Sequence, residues 1–308
     1  MIDDAKYPSA ARIARTLAEA WPDHARFLQQ SFASRDEALR ESTERHAEMI
    51  LRIVGSQASL MEYCGDYRFL CDRLTEEELF FRRNGRYRLS RFEDAVAEVY
   101  ANGEFMSRYM NFLLLSHVLW ENHARAIAHF EDRYLPSLPL GTDHLEIGPG
   151  HGLLLHFASN APQVSSVTGW DVSPTSIDQA RHCLAAMGGG RKVDLTLQNL
   201  FDASPSTTRF GSVALSEVLE HLEDPIAALR ATSRHMLPGA SLWVHVPVNS
   251  PAPDHIHLLR TPEEALDLVR AGGFEPVDAA FFPMTGQTLE RARKRELTIS
   301  VVISAKRS

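Results

Sequence analysis

This chain of 308 residues is short of everything that marks a secreted or membrane-spanning protein. It has only three cysteines, Cys64, Cys71 and Cys183. An odd, sparse count excludes a disulfide-stapled scaffold and fits reduced thiols. Cys64 and Cys71 are seven apart, share one helical face and read as small buried hydrophobes. No long apolar run is present. The strongest, residues 112–120, is interrupted by Ser116 and His117 and falls well short of the roughly 20 residues that cross a bilayer. The opening MIDDAKYPSA lacks the basic-then-apolar pattern of a signal peptide, so the expectation is a cytoplasmic protein. Net positive charge is missing too: 32 basic against 40 acidic residues give −8. That balance argues against broad binding to nucleic acid or anionic membranes, and neither is expected as a partner, although it leaves room for a local basic patch. There is no internal repeat and no low-complexity tract.

What remains is ordinary for a globular protein, 44% apolar and 23% charged, with a length that suits two domains. The first part reads as helices. Ser34 precedes RDEALRESTERHAEMILRIV, and SLMEYCGDYRFLCDRL follows. In LFFRRNGRYRLS, Asn84-Gly85 stands between two short runs, which predicts a hairpin. Ser90 and Glu93 offer a capping box for the next helix. Helices plus a basic hairpin suggest a winged-helix-like unit. One long helix is expected over 104–130, its centre NFLLLSHVLW apolar nearly all round and therefore buried. The Pro/Gly-rich YLPSLPLGTD then sets the division into 1–138 and 139–308.

Beyond it the rhythm becomes strand, helix, strand. Strands are expected at HLEIG, VSSVTGWDV, KVDLTLQ, SVALSE, SLWVHVPV, FEPVDAAFF and LTISVVISA. Ser173-Pro174, Asp224-Pro225 and Thr261-Pro262 open the intervening helices. This alternation predicts an α/β fold, a parallel sheet covered on both faces by helices, with seven strands. The last two strands are joined by PMTGQTLERARKRE, which suits a short helix or a hairpin-like pairing.

The stretch HLEIGPGHGL runs from a strand through three alternate glycines into a helix. Such a turn aims backbone N–H groups and a positive helix end at a ligand above the sheet edge. Dinucleotide sites use G-x-G-x-x-G. Here the glycines are Gly148, Gly150 and Gly152, led by Glu146, and the dinucleotide position holds Leu153. Asp171, which ends the second strand, offers a bidentate acceptor for a ribose. At this point residues 140–308 resemble the class I S-adenosylmethionine-dependent methyltransferases, whose first motif is (D/E)-x-G-x-G-x-G. LQNLFD, LSEVLEHLEDP and RAGGFEPV extend the likeness. The resemblance implies S-adenosylmethionine as cofactor, a Rossmann-like sheet, and a cofactor site made of Glu146, Gly148, Gly150, Gly152, Asp171, Val172, Asn199, Leu200 and Ser216. Within it Asn199 would face the adenine with the Leu200 backbone beside it, and the backbone near Ser216 would receive the methionyl amino group. His151 would face solvent or the methionine tail, and Trp170 would wall the adenine or pack in the core.

A methyl on sulfonium needs an aligned nucleophile, and a base only where the acceptor must lose a proton. His221, His255 and His257 follow strands at the same edge. His221 and His257 are taken as the catalytic candidates; the bland alternative makes them loop-fixing or surface groups. His245, inside a strand, reads as core. Glu217, Glu220 and His221, with His257, could hold a divalent metal, but no metal is assigned. A helical domain ahead of this fold is similar in layout to small-molecule O-methyltransferases of secondary metabolism, which implies a homodimer, a small-molecule acceptor and a domain that helps cover it. Tyr109, Asn111 and His117 could add pocket groups or be satisfied core residues. Two rivals stand beside this reading: a nucleic-acid binder using Arg82, Arg83, Arg86, Arg88 and Arg91, and a cofactor-sensing protein without turnover.

Overall fold

A computed structural model describes residues 2–202 and 209–308. The chain divides into two compact units. One comprises Met1–Ala128, Ser250–Ile256 and Phe282–Ile299, and the other His129–Asn249, His257–Phe281 and Ser300–Ser308.

The first unit is helical: α1 (Pro8–Ala20), α2 (Ala25–Ala33), α3 (Glu37–Val54), α4 (Gln57–Asn84), α5 (Phe92–Ala95) and α6 (Gly103–Leu119), then α7 (Glu121–His129), in which the chain passes to the second unit. Asp36 and Ser56 cap α3 and α4 by accepting the N–H groups of Leu39 and Ser59. Ile13, Leu17, Ile50, Leu60, Tyr67 and Leu115 are fully buried in its core. Cys64 is buried and Cys71 half-buried, both on α4. Burial pushes each thiol up to about 12, so neither is a thiolate nucleophile.

Three local expectations are corrected here. Asn84-Gly85 does not turn a hairpin: α4 runs to Asn84, and Gly85 (φ 66°, ψ 18°) ends it with its N–H on the Phe81 carbonyl at 2.7 Å. A left-handed glycine serves a helix C-terminus as well as a hairpin turn, and the 28-residue helix wins. The winged-helix likeness thus lacks its wing. Ser90 does not cap; Arg91 precedes α5 with no side-chain cap. The long helix over 104–130 is broken at Trp120 (φ −100°, ψ 127°), which turns its indole to donate to the Tyr67 hydroxyl at 2.7 Å.

In the second unit the helical path continues through a π-helical turn, Phe130–Tyr134, and α8 (Leu135–Ser137). The strands are β1 (Thr142–Ile147), β2 (Val164–Asp171), β3 (Val193–Leu197), β4 (Phe210–Ser216), β5 (Met236–Val248), β6 (Phe274–Pro283) and β7 (Ile299–Arg307). The helices α9 (Leu153–Asn160), α10 (Pro174–Met187), α11 (Pro225–Arg234) and α12 (Pro262–Ala271) alternate with them, and α13 (Leu289–Arg295) joins β6 to β7. The sheet is mixed, in the order β3-β2-β1-β4-β5-β7-β6. Ser173, Asp224 and Thr261 cap α10, α11 and α12 as their sequences require. From Ala240 to Val248 every residue of β5 is buried, as in a strand covered on both faces. A buried polar chain links the π-helical turn to β4 and β1: the Tyr134 hydroxyl lies 2.7 Å from Ser212 Oγ, which lies 2.9 Å from His144 Nδ1.

Candidate functional site

The first five strands are mutually parallel, and their register levels one edge. Ile147 of β1 pairs with Trp170 of β2 and Leu215 of β4; Asp171 pairs with Leu197 of β3, and Ser216 with His245 of β5. Ligands of open α/β sheets bind at such C-terminal strand ends. Each residue expected to hold the cofactor sits in or directly after β1, β2, β3 or β4 here.

The turn after β1 depends on glycine. Gly148, Gly150 and Gly152 have φ of 69°, 51° and 74°, where side chains are strained. A Cβ on Gly148 would also stand 2.9 Å from Val218 Cγ2. The Gly148 N–H donates to the Trp170 carbonyl (2.8 Å) and the Gly152 N–H to the Pro149 carbonyl (2.7 Å), which folds the turn back onto β1 and β2. Gly152 precedes α9 without a side-chain cap, so first-turn N–H groups remain for a ligand.

Glu146 is 2% exposed. It accepts the Leu155 N–H, yet its Oε2 is buried with no protein hydrogen bond. Burial drives its carboxyl well above the usual range; the Leu155 N–H opposes this and the Asp171 charge adds to it. A buried carboxylate oxygen left unmatched is costly, and a ligand donor would relieve it. Asp171 accepts the N–H groups of Ser173 (2.9 Å) and Val172, and burial still raises its pKa. Around it Val172, Leu197 and Phe201 are 59%, 56% and 48% exposed. Large apolar side chains bared on neighbouring strand ends suit the faces of a flat heterocycle. Asn199 is exposed and accepts the Phe201 N–H through Oδ1 (2.9 Å), which leaves that oxygen a second lone pair. Leu200 is buried. These residues fit an adenosyl ligand: a ribose acceptor, apolar ring faces, and an unmatched acid beside a glycine turn.

The ends of β4 and β5 carry backbone strain. Glu217 (φ 52°) and Asn249 (φ 48°) are non-glycine residues in the left-handed region, a conformation that costs on the order of 1–3 kcal/mol and gathers at functional sites. Glu217 Oε1 lies 3.1 Å from His245 Nε2, and its N–H donates to the His245 carbonyl at 2.8 Å. Ser216 Oγ lies 3.4 Å from His245 Nδ1. His245 is therefore more than core packing: it fixes the acid that follows β4. That role depends on the β4–β5 register, which no local sequence signal reveals. Asn249 closes the base of the next loop, its N–H on the Leu259 carbonyl (2.9 Å) and its Nδ2 on the Arg260 carbonyl (2.7 Å).

His221 ends a short turn, Leu219–His221, with its side chain 18% exposed. The His257 N–H donates to the Glu220 carbonyl at 2.9 Å, so the loop after β5 is tied to the turn after β4. Both catalytic candidates thus flank Glu220. Burial lowers the His257 pKa against the pull of Asp224 and Glu264, which keeps the ring neutral and able to accept a proton near pH 7. His255 belongs to the helical unit, 4% exposed, its Nδ1–H donating to the Ser250 carbonyl at 2.6 Å. His151 is buried rather than solvent-facing. Trp170 is buried edge-on to Phe210 and His235, a core residue. In the helical unit the Tyr109 hydroxyl donates to Asp254 (2.9 Å) and Asn111 Nδ2 to Asp66 (2.9 Å), so both of these polar groups are satisfied.

Comparisons with known proteins bear on the family and the fold. The family described as "Methyltransferase domain" matches residues 119–294, more than half of the chain. A ubiquinone biosynthesis O-methyltransferase of Xanthomonas axonopodis pv. citri (strain 306) is 34% identical over 115 residues, 37% of this chain and 46% of that protein. Its counterpart in Cereibacter sphaeroides (strain ATCC 17025 / ATH 2.4.3) is 30% identical over 171 residues, 49% of this chain and 68% of that protein. The chain thus spans about half the length of the first of these curated relatives. Among solved structures, the S-adenosylmethionine-dependent methyltransferase SibL in its apo form shares the fold, with TM-score 0.54 and 14% identity over 82% of this chain and 75% of that one. The chain belongs to the S-adenosylmethionine-dependent, Rossmann-like methyltransferases.

Proposed function

We propose that this protein moves the methyl group of S-adenosylmethionine to an oxygen, nitrogen or carbon nucleophile of a small molecule, of the kind made in secondary metabolism. The observation that carries the reading is the pairing of an unmatched buried acid, Glu146, with the glycine turn and Asp171 at one sheet edge. Support for a small acceptor comes from the curated relatives, named for O-methyl transfer in ubiquinone biosynthesis. When bound, the cofactor supplies a methyl on a sulfonium that departs as a neutral thioether.

The chain's own residues do the rest. Asp171 takes the ribose hydroxyls, the turn's N–H groups hold the carboxylate end, and the exposed Val172 and Leu197 enclose the base. Alignment of the nucleophile behind the methyl is the larger part of the rate. Where the acceptor is a hydroxyl, His257 or His221 takes its proton. The helical unit forms a homodimer and helps to cover the acceptor. Incubation with methyl-labelled S-adenosylmethionine and an extract of the source cells, followed by mass spectrometry, should give a labelled small product. Label found only in protein or nucleic acid would overturn the small-molecule reading, and light scattering at the mass of one chain would remove the dimer.

A further inference from the structure

The whole-chain charge of −8 hides a local surplus in the helical unit. The last turn of α4 and the glycine that ends it present Arg82, Arg83 and Arg86, all exposed. In the same unit α13 presents Arg291, Arg293, Lys294 and Arg295, also exposed. The two groups form one surface. Arg82 Nη1 donates to the Arg295 carbonyl at 3.0 Å and Nη2 to the Glu296 carbonyl at 2.9 Å, so a side chain of α4 closes the C-terminus of α13. Arg291, Lys294 and Arg295 line a surface hollow with Thr288 and Glu290.

Part of this charge has a structural purpose. Basic side chains complement helix C-termini, and two such ends meet here, each worth roughly half a negative charge. Glu78 pairs with Arg82, and Glu290 and Glu296 lie within the patch. Summed over the patch, seven cations, three acids and about one charge of helix dipole leave a net charge of roughly +3. The remainder of the chain carries the compensating acid, so the molecule has a basic corner on an acidic body, which orients it in the field of a negative surface.

An apolar element sits in the same patch. Leu79 is 52% exposed and lies three and four residues before Arg82 and Arg83, on the same face of α4. The Arg86 and Arg88 guanidinium groups lie over the Phe80 ring, 5.3 and 4.5 Å from its centre. Arginines around a bared leucine, with aromatic surface beneath, match the interfacial layer of an anionic bilayer, where the alkyl group enters and the cations meet phosphates. A nucleic-acid site of this size would have no use for the leucine. No described helix is long and apolar enough to cross a membrane, so the contact is peripheral.

We propose that the α4–α13 face of the helical unit docks this protein on anionic lipid headgroups. This departs from the expectation drawn from total charge, and it does not depend on the methyl-transfer reading. The test is co-sedimentation of the full chain with vesicles of phosphatidylcholine alone or mixed with phosphatidylglycerol. Binding should require phosphatidylglycerol and weaken as salt rises. The variant R83E/R291E/K294E should bind on the order of a hundredfold more weakly, and Leu79→Ser severalfold more weakly. Unchanged binding of S-adenosylhomocysteine by both variants would show that they are folded. Equal binding to both vesicle types, no binding to either, or full binding by the triple variant overturns the proposal. So does preference for duplex DNA over phosphatidylglycerol vesicles in competition, which would assign the face to nucleic acid. Should the triple variant not fold, the lipid, salt and DNA arms on the unaltered chain decide alone.

Discussion

Arg35 in the helical unit and Glu146 in the sheet unit are both 2% exposed, and they are treated in opposite ways. Arg35 makes four hydrogen bonds, from all three of its nitrogens: Nε on the Ser31 carbonyl (3.0 Å), Nη1 on Thr43 Oγ1 (2.7 Å), Nη2 on Ser31 Oγ (2.9 Å) and the Val118 carbonyl (2.7 Å). It ties α2, α3 and α6 together from within. Glu146 has the Leu155 N–H on one side and a bare Oε2 on the other, at the end of β1. A buried charge whose bonds close within the protein is structural; the one left half-matched at a strand end is the one proposed to meet a ligand. Backbone strain does not divide the units so cleanly: Glu217 and Asn249 fall at the ends of β4 and β5, and Glu296 (φ 50°) ends α13 of the helical unit.

The largest effects should come from the ligand side. Gly150→Val forces a β-branched residue into φ 51°, and Asp171→Ala removes the carboxylate proposed to accept the ribose hydroxyls. Calorimetry with S-adenosylhomocysteine should show each weakening binding by about a hundredfold or more, since one bidentate charged contact or one unfitted backbone is worth a few kcal/mol. Near-normal affinity in both would break the assignment of this edge. Next comes Arg35→Ala, which removes four buried hydrogen bonds, two to carbonyls and two to hydroxyls. Denaturant unfolding should show a loss of about 3 kcal/mol or more, with affinity for the cofactor product almost unchanged. A variant that lost affinity as Gly150→Val does would erase the distinction between the two units.

A more gradual effect separates the units by pH. Burial lowers His123 of the helical unit to about 4 and His144 of the sheet unit to about 3. Below 6.5 the unfolded chain takes a proton that each folded site refuses, so stability falls with falling pH by about 1.4 kcal/mol per unit for each histidine. The loss should level off near pH 4 for His123 and continue towards pH 3 for His144. Melting temperatures across this range should flatten in part for His123→Gln and, at the acid end, for His144→Gln. Parallel curves for both variants and the parent would show that neither ring is held neutral.

Much of the sheet unit is legible in the sequence because its signals are local. Alternating apolar runs place the strands, and Ser173, Asp224 and Thr261 with their prolines place three helix starts. The glycine turn is legible because three left-handed positions leave little choice of residue. The helical unit is harder to read. Asn84-Gly85 is locally ambiguous, and only the packing of α4 along α6 decides for helix. The break at Trp120 needs Tyr67, 53 positions away. The Glu217–His245 pair needs the β4–β5 register, and the basic face needs Arg82 to meet α13 across 213 positions.

The finest test concerns the proton on Glu146. Its folded pKa is raised by burial, so its contribution to stability is full below the unfolded value near 4.5 and is lost as pH rises through the folded pKa. Glutamine imitates the protonated acid and keeps an acceptor for the Leu155 N–H. Glu146→Gln should therefore leave the ligand-free protein at least as stable as the parent, with the difference growing as pH rises above about 4.5. A cationic ligand group beside Oε2 favours the charged carboxylate, so binding by the parent should release a proton and tighten with pH, by about tenfold for each unit over which the carboxyl is protonated only in the free protein. The glutamine variant has no proton to release, and its affinity should be flat over the same range. A slope that survives the substitution would move the titrating group to Asp171, whose carboxyl is also raised by burial, and would leave Glu146 as a purely structural acid like its counterpart charge at Arg35.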